Sequence, residues 1–305
     1  MTDTASAALD HDGLTRFLIL GAGVRGVRVH LQETWRQIRA REDYPAAAAE
    51  LLGEACAAAA LLTGHTKVDG RLSLQLQSRA AIRTLFAECT GAGTLRGIVQ
   101  LSDQALPTRN LQDLGADAVL AITVENPRPG ARGAQEPMRY QGLVSLASET
   151  LAGALEDYFI QSEQLPTRLL LVADENRAAG LMLQKLPGDE GDVDGWNRAC
   201  ALFDTLRSHE LLDLAGDTLL ERLFHQDGVE VLGRKPLEFA CSCSRERVAS
   251  MLASLGADEA RAAVIDGQAE VRCEFCGQRY SFDPADVERL LALHGQQMAA
   301  PERVQ

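Results

Sequence analysis

Two close pairs of cysteines near the C-terminus constrain the fold of this chain more than any other feature. The first pair is Cys241-Ser242-Cys243, and the second pair, Cys273 and Cys276, follows after 29 residues. Four thiolates in two such pairs suit tetrahedral Zn²⁺, with each sulfur at about 2.3 Å. A segment of about 50 residues buries too little surface to be stable without a disulfide or a bound metal ion. We therefore expect one Zn²⁺ per chain, bound by these cysteines in the reduced form.

The sequence around each pair agrees with a metal site. An extended Cys-x-Cys places both side chains on one face, and Gly277 favours a tight turn after the second pair. Helical patterns over residues 244–255 and 258–265 provide enough chain to return the second pair to the first. Four flanking arginines are expected to offset the charge of the centre: Arg245, Arg247, Arg272 and Arg279.

The spacing leaves several interpretations of the cluster open. A structural zinc site is the commonest. A redox switch is the second, because a Cys-x-Cys disulfide is strained and strained disulfides are typically regulatory. A thioredoxin-type site is disfavoured, since residues 277–280 have the pattern of a turn and a strand instead of a helix. A zinc ribbon that binds nucleic acid is also disfavoured, because residues 241–290 carry six arginines, no lysine and nine acidic residues.

Composition indicates the compartment. The chain has seven cysteines, an odd number, and its N-terminus lacks the apolar region of a signal peptide, so we expect a cytoplasmic protein with reduced thiols. The net charge of −13 argues against nucleic acid as a partner. The longest apolar stretch, residues 46–63, is interrupted by Glu50 and Glu54, so no membrane partner is expected either.

The pattern along the chain predicts an α+β fold. A length of 305 residues suggests two domains. Strand-like runs follow one another with few helices between them, which favours an antiparallel or mixed sheet. They cover residues 16–20, 24–31, 72–76, 82–88, 95–101, 118–125, 140–146 and 168–172. An Ala-rich helix is expected over residues 45–62 and another over 147–162. We assign residues 1–187 to an N-terminal α+β domain, with residues 1–12 as a mobile tail.

The charge and the apolar pattern of the chain change after residue 187. Residues 188–235 contain eleven acids and five bases, and their apolar residues recur at helical spacing. Such helices are too short and too charged to be stable alone. We predict a metastable helical linker over residues 188–237, followed by a zinc-binding redox-switch domain with a C-terminal tail, residues 238–305. The apolar residues at helical spacing are Trp196, Ala199, Leu202, Phe203, Leu206, Leu212, Leu219, Leu220 and Leu223.

Other motifs are interpreted as structural. Gly21-x-Gly23-x-x-Gly26 matches a dinucleotide fingerprint, but an alternating strand pattern follows it, so we expect a tight hairpin. Cys56, Cys89 and Cys200 lie in apolar, strand-like or helical contexts, where free cysteine is commonly a small buried hydrophobe. No catalytic triad and no Walker A pattern are found, so neither a catalytic residue nor a bound nucleotide is expected.

At this point the residues resemble the 33-kilodalton heat-shock protein family, bacterial redox-regulated chaperones. The most specific match is Cys-x-Cys-Ser-Arg-Glu-Arg at residues 241–247, followed by Cys-x-x-Cys at the family spacing. The resemblance covers nearly the whole chain after residue 12. Further matching segments are residues 16–17, 24–26, 51–54, 87–89, 95–97, 139–142, 162–167, 178–181 and 282–283.

The resemblance implies a mechanism. The reduced protein would hold Zn²⁺ on the four cysteines and be a poor chaperone. Oxidation would form the disulfides Cys241–Cys243 and Cys273–Cys276, expel zinc and unfold the zinc domain and linker. The protein, as a homodimer when oxidised, would then hold unfolded clients without ATP, in the response to oxidative stress and heat shock, and would not be an enzyme. The alternative from another class is a cytosolic zinc-domain protein that binds RNA or the translation machinery constitutively.

Overall fold

The computed structural model describes residues 11–66, 68–102, 106–127, 137–188, 192 and 194–299. The chain divides into two compact units, Met1–Ala240 and Cys241–Gln305. Both units combine helices with antiparallel strand pairs, so the predicted α+β class is confirmed.

Sheet A of the first unit has five antiparallel strands in the order β10-β1-β2-β9-β8. Its strands are β1 Asp12–Ile19, β2 Val24–Leu31, β8 Thr167–Ala173, β9 Ala178–Lys185 and β10 Val229–Pro236. β1 and β2 form a hairpin through a short 3-10 turn, Leu20–Ala22, and Gly23 at φ 60°. A positive φ favours glycine. The glycine-rich motif is therefore the predicted hairpin, and a strand follows it where a dinucleotide site needs a helix.

Sheet B of the first unit has six strands in the order β11-β5-β4-β3-β6-β7. All neighbours are antiparallel except the short parallel pair β11–β5. Leu72, Leu74 and Leu76 alternate with more exposed residues, as the period of two predicts for a sheet with one buried face. The strands are β3 Arg71–Gln77, β4 Ile82–Thr90, β5 Thr94–Leu101, β6 Val119–Asn126, β7 Met138–Val144 and β11 Glu238–Phe239.

Three helices accompany the two sheets: α1 Glu33–Arg39, α2 Ala46–His65 and α3 Leu151–Tyr158. The Ala-rich α2 contacts strands of both sheets. Gly53 packs directly on Ala173 of β8, and Cys56 packs on Gly97 of β5, which small side chains permit. Within the described residues α2 alone has the length and composition of a membrane span, and 83% of that window is buried inside the protein. It is therefore the core helix of the first unit.

The opposite face of sheet A carries a second apolar cluster. Three short helices, hereafter the linker helices, supply much of it: α4 Gly195–Phe203, α5 Ser208–Asp213 and α6 Gly216–Phe224. In β9, Leu181 and Leu183 belong to this cluster, whereas Met182 belongs to the core around α2. Sheet A is thus covered on both faces, and the linker helices bury the face turned away from α2.

Several boundaries differ from the sequence prediction. β9 was not predicted, because both of its faces are buried and its apolar run does not alternate. β10 lies within residues 188–237, which were assigned to a helical linker; its backbone pairs with β1. Residues 1–10 of the predicted tail lie outside the described residues, but Asp12 begins β1, and its carboxylate accepts hydrogen bonds from the first backbone N–H groups of α1. The unit boundary follows Ala240 instead of residue 237.

The second unit is small. Its elements are α7 Arg245–Ser254, α8 Ala257–Ala262, β12 Ala269–Arg272, β13 Arg279–Phe282 and α9 Pro284–Ala299. The strands form one antiparallel hairpin, β12–β13. The two helices predicted between the cysteine pairs are present, although α8 ends earlier than expected, at Ala262. Among the described residues, the main cluster of buried apolar side chains in this unit contains Val248, Ala249, Leu252, Ala260, Ala269, Phe282 and Val287.

Candidate functional site

The second unit brings the four predicted ligands together. The sulfur atoms of Cys241, Cys243, Cys273 and Cys276 all lie within 4.8 Å of one another. Cys241 Sγ is 3.7 Å from Cys273 Sγ, and Cys243 Sγ is 3.3 Å from Cys276 Sγ. A tetrahedron with metal–sulfur bonds of about 2.3 Å has edges of about 3.8 Å. The four sulfurs therefore have the spacing of a tetrahedral thiolate site.

Local backbone geometry explains how each pair converges. Ser244, just after the first pair, has an extended backbone and caps α7 by accepting a hydrogen bond from Arg247 N. In the second pair, Gly277 N donates to the carbonyl of Cys273 at 2.8 Å, and Gly277 has φ 72°. Cys273 N in turn donates to the carbonyl of Gln278. The tight turn expected at Gly277 is thus present, and a side chain there would be strained.

The donor set fits a soft or borderline divalent cation. Four cysteines without a carboxylate or histidine form the typical structural zinc site, closed to a fifth ligand. Among the described residues, only these four form a cluster of histidine, cysteine or acidic side chains with suitable spacing for a metal ion. We conclude that the cluster could hold one metal ion.

Sequence reasoning missed one residue of the site, Tyr280. Its hydroxyl donates a hydrogen bond to Cys243 Sγ at 3.1 Å. Desolvation raises the pKa of Cys243, but hydrogen bonds from Tyr280 and from the neighbouring thiols outweigh it and lower this pKa to about 7. Tyr280 lies four residues after Cys276, on β13. No sequence pattern indicates this contact, because the hairpin alone brings the hydroxyl to the first cysteine pair.

Three of the flanking arginines have polar partners within the second unit. Arg245 donates to Asp286 at 2.9 Å and stacks over Phe282. Arg279 pairs with Glu270 at 2.7 Å. Arg247 donates at 2.6 Å to the carbonyl of Ser242, the residue between the first two cysteines. Two of the four guanidiniums are therefore neutralised by carboxylates of the same unit, which limits how much they offset the charge of the thiolates.

The remaining three cysteines, Cys56, Cys89 and Cys200, belong to the first unit. Cys56 and Cys89 are buried, and desolvation raises the pKa of each thiol to about 12. Cys200 on α4 is half-buried, and desolvation raises its pKa to about 11. All three are protonated thiols at neutral pH, and they pack as small apolar side chains.

Basic side chains of β2 and of the turn between β8 and β9 contact the C-terminal end of α5. Arg28 of β2 donates to the carbonyl of Leu214 at 3.0 Å. His30 of β2 contacts the carbonyl of Leu212 through Nε2 at 3.0 Å, and Arg177 reaches the same carbonyl at 3.2 Å. The last carbonyls of a helix lack partners within it, and cations there also complement its dipole. These contacts anchor the linker helices to the sheet through a few polar groups beside the apolar cluster.

The fold and the four-thiol cluster together define a two-unit α+β protein with a cysteine cluster that could hold a metal ion. Comparison with known proteins identifies its family. The model of the Hsp33 protein family matches residues 12–283. The chain therefore belongs to the Hsp33 family.

Individual relatives are similar to this chain over nearly their full lengths. A protein named 33 kDa chaperonin from Ectopseudomonas mendocina is 43% identical over 301 residues, covering 96% of this chain and 99% of its own. One of the same name from Pseudomonas syringae pv. tomato is 44% identical over 293 residues, covering 93% and 94%. The crystal structure of a 33 kDa chaperonin from Thermotoga maritima superposes with a TM-score of 0.76 at 24% identity, covering 94% of this chain and 99% of its own. This structure supports the fold.

Proposed function

We propose that this protein is a redox-regulated, ATP-independent holdase chaperone and not an enzyme. Its reduced form would be inactive, and oxidation of the four clustered cysteines would expose a surface that binds unfolded proteins. The observation that carries the proposal is the convergence of four thiols within 4.8 Å in a unit with a very small core. Membership of the Hsp33 family, whose relatives bear the name chaperonin, supports it.

In the reduced state Cys241, Cys243, Cys273 and Cys276 would hold one zinc ion. Bound zinc would keep these sulfurs deprotonated and join the two chain segments that carry them. Structural zinc sites contribute on the order of 10–16 kcal/mol of apparent binding energy. Among the described residues, the apolar cluster at the core of the second unit has seven buried members, so the folded state of this unit would depend on that contribution.

Oxidation would remove the ligands. A thiolate attacks the O–O bond of hydrogen peroxide and becomes a sulfenic acid as hydroxide leaves; a second thiolate then attacks that sulfur, a second hydroxide leaves, and a disulfide forms. All four sulfurs lie within 4.8 Å of one another, so distance alone does not select the partners. We propose the pairs Cys241–Cys243 and Cys273–Cys276. These close very short loops, so they would replace little of the lost stability.

The client surface would come from the linker helices and the face of sheet A beneath them. Phe203, Leu211 and Phe224 are buried against that face. Phe17 and Leu183 of the sheet become exposed when the helices leave. Short helices held by one apolar face and a few polar contacts belong to the low-stability end of a protein. We propose that loss of the second unit's fold is passed to them along the chain, through β11 and β10.

The remaining parts of the proposal concern partners and place. Unfolded polypeptides would be the clients, the oxidised protein would form a homodimer, and neither nucleic acid nor a membrane would be a partner. The protein would act in the cytoplasm, where thiols are reduced until oxidative stress or heat shock.

Aggregation of a chemically denatured client tests the proposal. The reduced, zinc-loaded protein should leave light scattering unchanged, and the peroxide-treated protein should suppress it without ATP. Dithiothreitol with zinc should reverse the effect. Equal suppression by both forms would refute redox control, and binding of RNA by the reduced protein without any suppression would favour the constitutive zinc-domain alternative.

A further inference from the structure

The hydroxyl of Tyr280 distinguishes one sulfur of the cluster from the others. It donates to Cys243 Sγ at 3.1 Å from β13, the strand that follows the second cysteine pair. The same sulfur lies 3.3 Å from Cys276 Sγ, a member of the second pair. The contact with Tyr280 therefore joins a ligand of the first pair to the hairpin that carries the second pair.

A hydrogen bond to a thiolate changes its chemistry. The donor withdraws electron density from the sulfur and occupies one of the directions from which an electrophile can approach. Hydrogen bonds to charged acceptors are stronger than those between neutral groups, and second-shell partners tune metal ligands in this way. A thiolate so bonded should attack the O–O bond of a peroxide more slowly than one without such a donor.

We propose that Tyr280 is a positioning residue that slows oxidation of Cys243 and thereby sets how much peroxide the switch tolerates. The role of Tyr280 in the switch rests on the proposed redox function, whereas its effect on the reactivity of the Cys243 thiolate does not. Oxidation would begin at another ligand, and Cys243 would be held on its hairpin partner until the second unit loosens. Loosening separates Tyr280 from Cys243, which removes the protection and lets the second disulfide form.

The test replaces the hydroxyl and keeps the ring. Full-length, reduced, zinc-loaded Tyr280→Phe is compared with the parent protein and with Tyr140→Phe. The control Tyr140→Phe removes a hydroxyl that is hydrogen-bonded to the Tyr158 hydroxyl in the first unit. Two rates are measured: zinc release by hydrogen peroxide, followed with a chromogenic chelator, and alkylation of each cysteine by iodoacetamide without oxidant, followed by mass spectrometry. Zinc content before treatment controls for folding.

Tyr280→Phe should bind one zinc and alkylate about fivefold faster at Cys243 than the parent, the fold-change that loss of about 1 kcal/mol of hydrogen bonding gives. Alkylation at Cys273 should change less, zinc release by peroxide should accelerate, and Tyr140→Phe should match the parent. An unchanged Cys243 rate overturns the proposal, and so does Tyr280→Phe that has lost zinc at equilibrium, because the hydroxyl would then be needed for the site itself. The alkylation result stands even if the parent never gains chaperone activity, so the two proposals fail separately.

Discussion

Replacing Leu219 by alanine should open the linker helices without oxidation of any cysteine. Leu219 on α6 is 0% exposed and belongs to the apolar cluster on sheet A. A Leu→Ala change at such a site costs about 2–5 kcal/mol, from lost burial and the cavity left behind. Each 1.4 kcal/mol is a factor of ten, so the equilibrium for local opening should rise about 25- to 4000-fold.

Hydrogen exchange measured by mass spectrometry separates this local opening from global unfolding. In reduced Leu219→Ala, peptides from residues 195–224 should lose protection, while peptides from α2, Ala46–His65, keep it. The neighbouring Thr218 is exposed on the same helix, so Thr218→Ala is the matched control and should behave as the parent. The reduced Leu219→Ala protein should also suppress client aggregation in part, since its apolar surface is exposed without peroxide.

Two outcomes would refute this reasoning. If α2 and the linker helices lose protection together, the linker helices are an integral part of the first unit's cooperative fold. If residues 195–224 open and client aggregation is unchanged, the surface they cover is not the client-binding surface. In the parent protein, peroxide should lower protection first within residues 188–235, and uniform protection after complete zinc release would contradict a low-stability linker.

Three other predictions concern the thiols and pH. Replacing Cys56, Cys89 and Cys200 by alanine together should leave one zinc per chain, as metal analysis would show; loss of zinc would disprove the ligand assignment. Peroxide alone should activate the protein slowly at low temperature, and mild heat or low denaturant should accelerate zinc release, because packing restricts access to the thiolates. If heating accelerates zinc release no more than it accelerates the reaction of peroxide with a free thiol, this explanation is wrong. Burial raises the pKa of Glu54 to about 7, so the folded state retains a proton that the unfolded state loses near pH 4.5, and this group's contribution to stability falls as pH rises across that window. Glu54→Gln should flatten the dependence of Tm on pH there, and an unaltered slope would show that Glu54 is not responsible.

The sequence predicts the convergence of the four thiols because the spacing within each cysteine pair is a local property. Cys241 and Cys243 on an extended segment, and Gly277 after Cys276, are sufficient to indicate two converging pairs. The Ala-rich helix and the β1–β2 hairpin are predicted for similar reasons, since composition and glycine position determine them locally. The bounds of α2, Ala46–His65, lie within a turn of those expected.

Features that depend on tertiary contacts escape such reasoning. β9 is apolar on both faces, so neither the period of two nor that of 3.6 identifies it. β10 lies in an acidic segment, and it is a strand because its backbone pairs with that of β1. The bond from Tyr280 to Cys243 spans 37 positions and depends on how the β12–β13 hairpin packs. The contacts of Arg28 and His30 with the end of α5 likewise join residues more than 180 positions apart.

One titration tests the central claim most directly, namely that loss of the metal centre switches the protein on. Zinc, free thiols and suppression of client aggregation are measured in the same samples through a time course with hydrogen peroxide. We predict that four of the seven thiols disappear, that one zinc per chain is released, and that suppression appears in step with the second pair of thiols lost. Suppression already complete before any thiol is lost, or loss of all four thiols and the zinc without suppression, would contradict the account.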